Sequence, residues 1–181
     1  MECIVPLVSA ELRGMKINKD KLIEITKELK NQKDNLVFQL NDFIISRGYE
    51  PINFRSSKQL LSLFNKLELV ITDRDGKPSA NKDYIKQAIY TYPEYKAFLE
   101  LLIQLSEMNK LISTYGDGIL KKLDTNNIIS TYYTINFTNT GRISSKADKL
   151  RINTTNLQNI PARSTQGQLI LESLKQEKVM Y

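Results

Sequence analysis

Hydrophobic residues recur at helical spacing along two long stretches in the first two thirds of the chain. Spacings of three and four residues place such side chains on one face of an α-helix. The first stretch contains Leu22, Ile23, Ile25, Leu29, Leu36, Leu40, Phe43 and Ile44, and the second contains Phe98, Leu101, Leu102, Leu105, Met108, Leu111 and Ile112. We therefore predict two long helices over segments 19–47 and 94–122, of the right length to pair antiparallel.

Residues at the ends of these stretches favour the same boundaries. Asn18 is a suitable N-cap for the first helix, and Gly48 fits the position just past its end. Pro93 fits the first turn of the second helix, because the N–H that proline lacks has no partner there. The two long helices are thus predicted from their ends as well as from their apolar faces.

Shorter elements are predicted between the two long helices. Ser56 and Gln59 have the spacing of a capping box and precede a short amphipathic stretch that ends at Leu67. Segment 72–78 is rich in Asp, Gly and Pro and is predicted to be a loop. Asn81 can then open another short helix.

The hydrophobic period changes after Asp124. In segment 129–137 the odd positions Ile129, Tyr133, Ile135 and Phe137 alternate with mostly polar residues. Alternation of β-branched and aromatic residues with polar ones is typical of a strand. The pattern therefore predicts a helical unit of roughly 120 residues followed by the start of a β-containing unit.

The residue types that are missing exclude several kinds of chemistry. The 181 residues contain no His and one Cys, Cys3. This excludes Ser-His and Cys-His catalysis, a His-ligated metal, a zinc ribbon and a disulfide framework. No apolar run approaches the roughly 20 residues of a membrane span, and the N-terminus lacks the features of a signal peptide. We expect an intracellular protein without a membrane partner.

Basic charge is concentrated late in the chain. The formal net charge is +6, and residues 101–181 contain 10 basic and 6 acidic residues. Segment 141–163 has five basic residues and one acidic residue, together with short neutral hydrogen-bonding side chains. Gly141 permits a close backbone approach, and Arg142 after it projects a planar charged fork. Such a surface suits nucleic-acid backbone and minor-groove contacts that do not depend on base sequence.

Each of these segments also has an ordinary structural interpretation when it is taken alone. Thr-Gly-Arg occurs in many loops, and Ser-Thr-Tyr near a helix end is typical of capping and packing. A basic stretch is often a solvated face. The order of four segments along one chain favours function: Asn-Phe-Arg-Ser-Ser-Lys-Gln-Leu at 53–60, Lys-Leu-Ile-Ser-Thr-Tyr at 110–115, Thr-Gly-Arg-Ile-Ser-Ser at 140–145 and Asn-Leu-Gln-Asn-Ile-Pro-Ala-Arg at 156–163.

Together, the four segments resemble the family A DNA polymerases, the class of bacterial repair polymerases and many phage replicases. Glu11 to Ile17 and Tyr92-Pro93 are further matches, so the resemblance covers residues 2–170. It implies an α+β fragment: a palm-side lead-in at 1–17, a mostly helical thumb at 18–123 with the two long antiparallel helices, and the first strands of the palm at 124–181. Ile143 stands where the family usually has Leu, and Lys146 to Thr155 is longer than the usual connection.

The resemblance also implies roles for individual residues in binding the primer–template duplex. Lys110 and Arg142 match residues at the minor groove, and Ser113 and Thr114 match residues near strand phosphates. The remaining matches line the template, the duplex or the primer backbone: Ser144, Ser145, Asn156, Gln158, Asn159 and Arg163.

The resemblance implies no catalytic or metal-binding residue in this chain. Family A nucleotidyl transfer in DNA replication uses Mg²⁺ held by two palm aspartates, the first in an Asp-Tyr-Ser-Gln motif that these 181 residues lack. We expect the chain alone to be inactive and its partners to be primer–template DNA and the remaining palm and fingers polypeptide. A non-catalytic DNA-binding or polymerase-modulating module and a decayed remnant are the alternatives. We expect the compartment to be the cytoplasm of a bacterial or phage-infected cell, with an organelle as the alternative.

Overall fold

The computed structural model describes residues 4–135, 142–148, 153–158, 160 and 164–174. The chain divides into two compact units. One is Lys30–Asn109, and the other combines Met1–Leu29 with Lys110–Tyr181. The predicted division after residues 17 and 123 concerns the parts of a polymerase, and it stays a prediction.

Most described residues are helical. The helices are α1 (Ile4–Arg13), α2 (Lys19–Ile45), α3 (Ser57–Lys66), α4 (Lys82–Thr91), α5 (Lys96–Leu111), α6 (Asp117–Leu120) and α7 (Thr165–Leu174). A 3-10 turn, Pro93–Tyr95, precedes α5, and a π-helical turn, Ile112–Gly116, lies between α5 and α6. None of the helices in these ranges has the length and apolarity needed to cross a membrane.

The predicted ends of the first long helix and the predicted start of α3 are found in the structure, whereas the predicted single helix over 94–122 is divided into α5, the π-helical turn and α6. The Asn18 side chain accepts a backbone N–H from the first turn of α2 at 3.1 Å, and Gly48 has a φ of +79° just past its end. Ser56 caps α3 by accepting the Gln59 N–H at 3.4 Å. The Gln59 side chain does not complete the capping box at Ser56. It accepts the Asn53 N–H at 2.7 Å instead, which fixes the loop before the helix.

The two long helices run antiparallel, as predicted. Phe43 near the end of α2 stacks on Phe98 near the start of α5, with ring centroids 4.5 Å apart. Thr26 in the first third of α2 lies against Gly116, just beyond the end of α5. Contacts between opposite ends of the two sequences require opposite chain directions.

Unit Lys30–Asn109 has a hydrophobic core of its own. Buried side chains from α2, α3, α4 and α5 and from the connecting loop meet there: Leu40, Ile44, Leu60, Leu63, Phe64, Leu67, Leu69, Ile71, Ile85, Ala88, Phe98, Leu99, Leu102 and Leu105. Fully burying one such side chain stabilises a fold by about 1.5–3 kcal/mol. This core therefore holds the two short helices against the two long ones.

The described residues of the other unit form two antiparallel strand pairs. β1 (Met15–Lys16) pairs with β2 (Ile128–Ile129). β3 (Tyr132–Thr134) pairs with β4 (Ser144–Lys146), with Tyr133 opposite Ser145. These strands after a mostly helical chain confirm the α+β prediction.

The predicted single strand over 129–137 is wrong in its continuity. β2 ends at Ile129 and β3 begins at Tyr132, because the chain changes partners between them. Ser130 donates its N–H to the Asn153 carbonyl at 2.9 Å and accepts the Thr155 N–H at 3.0 Å. Residues 136 and 137 lie outside the described residues.

Gly14 generates a first prediction, because a side chain at this position has no room. Its φ is +61°, and a Cβ atom would lie 2.5 Å from Ile128 Cγ2 and 2.9 Å from the Ile129 carbonyl oxygen. Gly48 has a φ of +79° with nothing within 4 Å of its Cβ position. We expect Gly48→Ala to cost only the backbone strain, roughly 1–2 kcal/mol. Gly14→Ala should lower the free energy of unfolding by clearly more, because the clash adds to the strain. Urea denaturation of both variants is the measurement, and equal losses would contradict the prediction.

Candidate nucleic-acid interface

The predicted thumb residues lie where α5 ends. Lys110 is exposed in the last turn of α5, and Ser113 and Thr114 are exposed in the π-helical turn that follows. The Ser113 hydroxyl donates to the Lys110 carbonyl at 3.3 Å. An ammonium group and two hydroxyls are thus presented to solvent within five residues, which is the chemistry that phosphate and groove contacts need.

Two glycines and a threonine explain why the helix widens at this point. A Cβ atom on Gly116 would lie 2.9 Å from Thr26 Oγ1, and one on Gly118 would lie 2.5 Å from the Ser113 carbonyl oxygen. Thr26 is itself fixed, since its hydroxyl donates to the Leu22 carbonyl at 2.7 Å. The wide turn therefore depends on two positions without a side chain. π-Turns inside α-helices are frequent at functional sites.

The opposite side of the π-turn faces the interior. Ile112, Tyr115 and Gly116 are buried there. Burial raises the pKa of the Tyr115 phenol above its ordinary value of 10.0. The side chain therefore stays neutral at physiological pH and acts as packing. The turn thus separates a polar exposed side from an apolar buried one.

Arg142 is exposed two residues before β4. Ser144 at the start of β4 is half-buried, and its hydroxyl pairs with the Thr134 hydroxyl on β3 at 2.5 Å. The arginine therefore extends from the end of a hydrogen-bonded hairpin. Gly141, which precedes it, lies outside the described residues.

Ser145 is predicted to line the duplex, but the structure places it in the interior. It is 2% exposed. Its hydroxyl pairs with the Thr131 hydroxyl and accepts the Leu157 N–H at 3.2 Å. Ser145 therefore links three chain segments and has no surface to offer to DNA in this conformation.

Gln158 is exposed, but both ends of its side-chain amide are bound to the protein. Its Oε1 accepts the Ser145 N–H at 2.8 Å, and its Nε2 donates to the Ile143 carbonyl at 3.0 Å. The half-buried Asn156 accepts the Gln158 N–H through Oδ1 at 3.1 Å, which makes a tight turn. These two amides therefore support the hairpin that carries Arg142. Two further predicted residues, Asn159 and Arg163, lie outside the described residues.

The longer connection between β4 and Asn156 is anchored at both of its described ends. The Thr154 hydroxyl accepts the Asp148 N–H at 2.8 Å and donates to the Asp148 carbonyl at 3.1 Å. Lys122 donates through Nζ to the Thr154 carbonyl at 2.9 Å. Residues 149–152 lie outside the described residues. Thr154 thus closes the base of this connection.

Several residues that matter here were not identified from the sequence. Thr131, Thr154 and Lys122 hold backbone segments that are distant in the chain, which no local pattern reveals. The Glu11 carboxylate accepts the Tyr133 N–H at 2.6 Å and so ties α1 to β3. Glu11 lies in the segment Glu11 to Ile17 that matches the polymerase family, but that match assigned no role to the residue.

Comparison with known proteins defines first the fold and then the family. A solved structure described as the POL domain of Pol1 from M. smegmatis, in complex with DNA primer-template and dNTP, has a TM-score of 0.76. The match covers 95% of this chain and 28% of that chain at 24% identity. This likeness shows the fold of part of a polymerase domain.

The family model for DNA polymerase family A matches residues 19–180, so the chain belongs to that family. It is 32% identical over 165 residues to a DNA polymerase I of Helicobacter pylori, covering 91% of this chain and 16% of that protein. It is 34% identical over 103 residues to a DNA polymerase of Bacillus phage SP01, covering 55% of this chain and 11% of that protein. The chain thus spans less than a fifth of these relatives, and the family resemblance found in the sequence is confirmed.

The packing of Gly116 against Thr26 generates a second prediction. Gly116→Ala should destabilise the fold by about 1–3 kcal/mol, as overpacking does in a close-packed interior. Thr26→Ala removes the Oγ1 and Cγ2 atoms and leaves Cβ at 3.5 Å from the new methyl group, an ordinary contact. The double variant should therefore lose less stability than the sum of the single variants. Thermal melting of all four proteins tests this, and additive losses would show that the two side chains do not compete for space.

Proposed function

We propose that this chain binds the primer–template duplex as the thumb and first palm segment of a DNA-directed DNA polymerase. Membership of family A and the polymerase-domain fold support the proposal. The solved polymerase domain from M. smegmatis is in complex with DNA primer-template, which supports the choice of ligand. The observation that carries the proposal is the exposed Arg142 at the end of a hairpin held by hydrogen bonds.

The chemistry of Arg142 suits a contact that does not depend on sequence. Guanidinium is permanently charged and offers donors in a planar fork. Minor-groove edges of all base pairs present the N3 and O2 acceptors, so one arginine can bind any correctly paired step. Lys110, Ser113 and Thr114 would add phosphate or groove contacts from the π-turn. A polymerase needs this combination, because it must hold every sequence that it copies.

We propose that Mg²⁺ and the chemical step belong to palm and fingers residues outside these 181. In the described ranges no group of three or more His, Cys, Asp and Glu residues comes together in a way that could hold a metal. When bound, Mg²⁺ would stabilise the charge that develops on the transferred phosphate. The residues of this chain would bind and orient the duplex, whether the catalytic polypeptide continues the chain or is separate.

Duplex binding is the third prediction and the test of the proposal. The purified chain should bind a recessed primer–template of mixed sequence, with an affinity that falls as salt rises. The slope of log affinity against log salt should be about −0.9 per neutralised phosphate. Fluorescence anisotropy at several salt concentrations measures the affinity, and the same mixtures with Mg²⁺ and four deoxynucleoside triphosphates should give no extension. Affinity indifferent to salt, or strong preference for one sequence, would count against the proposal.

Arg142 provides the fourth prediction. Arg142→Ala should weaken duplex binding about ten- to a hundredfold, the equivalent of roughly 1.5–3 kcal/mol for a charge-assisted hydrogen bond. Arg142→Lys should recover only part, because Lys cannot bond bidentately. Lys27→Ala, at an exposed position of α2, removes the same charge and should have a small effect. Melting temperatures measured in parallel separate binding from folding. If Arg142→Ala and Lys27→Ala weaken binding equally, the arginine has no specific role.

A further inference from the structure

The side-chain amide of Gln158 occupies the open edge of β4. β3 covers one edge of β4 through the pairs Tyr132 with Lys146 and Thr134 with Ser144. Successive residues of a strand direct their N–H and carbonyl groups to opposite edges, so the Ile143 carbonyl and the Ser145 N–H face away from β3. Gln158 meets these two groups at 3.0 and 2.8 Å.

This arrangement copies the pairing of a neighbouring strand. A primary amide has the donor and acceptor of a peptide group, and its orientation follows from its partners. The Ser145 N–H requires the oxygen, and the Ile143 carbonyl requires the nitrogen. An unpaired strand edge presents unsatisfied backbone N–H and C=O groups that can pair with another chain. One side chain therefore completes the edge of β4 at the residue next to Arg142.

The turn that carries Gln158 is also fixed. Asn156 Oδ1 accepts the Gln158 N–H at 3.1 Å, and the Leu157 N–H donates to the buried Ser145 hydroxyl at 3.2 Å. Ser145 thus binds this turn through its hydroxyl and through its backbone N–H. Gln158 is thus held at its backbone by the turn and at its side-chain amide by β4.

We propose that Gln158 is a positioning residue, whose amide fixes the direction in which Arg142 leaves the hairpin and thereby controls the contact of Arg142 with duplex DNA. The inference rests on the proposed function, since it assigns to Gln158 a role in the same duplex binding. It differs from the direct contact that the family resemblance implies for this residue. The two backbone partners use one N–H and one lone pair of the amide, and the cycle with Arg142 below separates positioning through these bonds from a direct contact through the second N–H.

The first experiment tests the amide clamp without DNA. Gln158→Met keeps the length of the side chain and Gln158→Leu shortens it by one atom, and both changes remove the two hydrogen bonds. Hydrogen exchange at the Ser145 amide should become faster in both variants, while the melting temperature changes little. Gln168→Leu, at an exposed position of α7, is the matched control and should leave this exchange unchanged. Unchanged exchange at Ser145 in the Gln158 variants would overturn the proposal.

The second experiment is a double-variant cycle with Arg142, measured by anisotropy on the recessed primer–template. Gln158→Leu should weaken binding roughly three- to tenfold, the scale of one or two neutral hydrogen bonds. In the Arg142→Ala background the same change should have little further effect, because the residue acts through the arginine. A purely structural role would lower the melting temperature in step with affinity in both backgrounds.

The outcomes separate this inference from the proposed function. Additive losses in the cycle mean that Gln158 acts independently of Arg142, which overturns the inference and leaves the proposed function standing. Unchanged affinity of Gln158→Leu has the same consequence. If the wild-type chain does not bind duplex, or if Arg142→Ala binds as well as wild type, the proposed contact fails and the inference fails with it. The exchange measurement then still decides whether the amide holds the strand.

Discussion

The buried hydroxyl of Ser145 joins three segments that are far apart in the chain. It pairs with Thr131 before β3 and accepts the Leu157 N–H, while its own backbone belongs to β4. A buried hydroxyl without partners would cost a desolvation penalty of roughly 1–3 kcal/mol. The segments must therefore assemble together, and the position of Arg142 beside β4 depends on their assembly. The residues most important for the site are thus those that hold its backbone.

The hairpin is held by hydrogen bonds, whereas the turn at the end of α5 is possible only where two residues have no side chain. Gly116 lies too close to Thr26 for a side chain, and Gly118 too close to the Ser113 carbonyl. The wide turn is possible because both positions lack a Cβ atom. Its exposed side carries Ser113 and Thr114, and its buried side carries Tyr115. One local irregularity thus sets both the packing and the polar surface.

Local signals were sufficient to predict much of the helical part. Asn18, Ser56 and Gly48 act within a few residues of their own positions, so the sequence alone identified the ends of α2 and the start of α3. The π-turn and the break between β2 and β3 could not be predicted this way. The break arises from Ser130, which pairs with a segment more than twenty residues later. The family resemblance identified the site segments, but it could not separate surface groups from supporting ones.

Surface groups can be separated from supporting ones by asking which of their donors and acceptors already have partners in the protein. A side chain whose donors and acceptors are satisfied by the protein gains little from meeting DNA, because each new bond replaces an existing one. The buried Ser145 hydroxyl is in this position, and Gln158 already has one amide N–H and its oxygen bonded to the protein. Charged side chains at exposed positions differ, since bringing a lysine or arginine to a phosphate surface releases counterions and adds attraction. Lys110 and Arg142 are both exposed. If the chain binds duplex DNA as proposed, affinity should come mainly from these two cations, and the neutral amides and hydroxyls around them would set the direction in which the cations point.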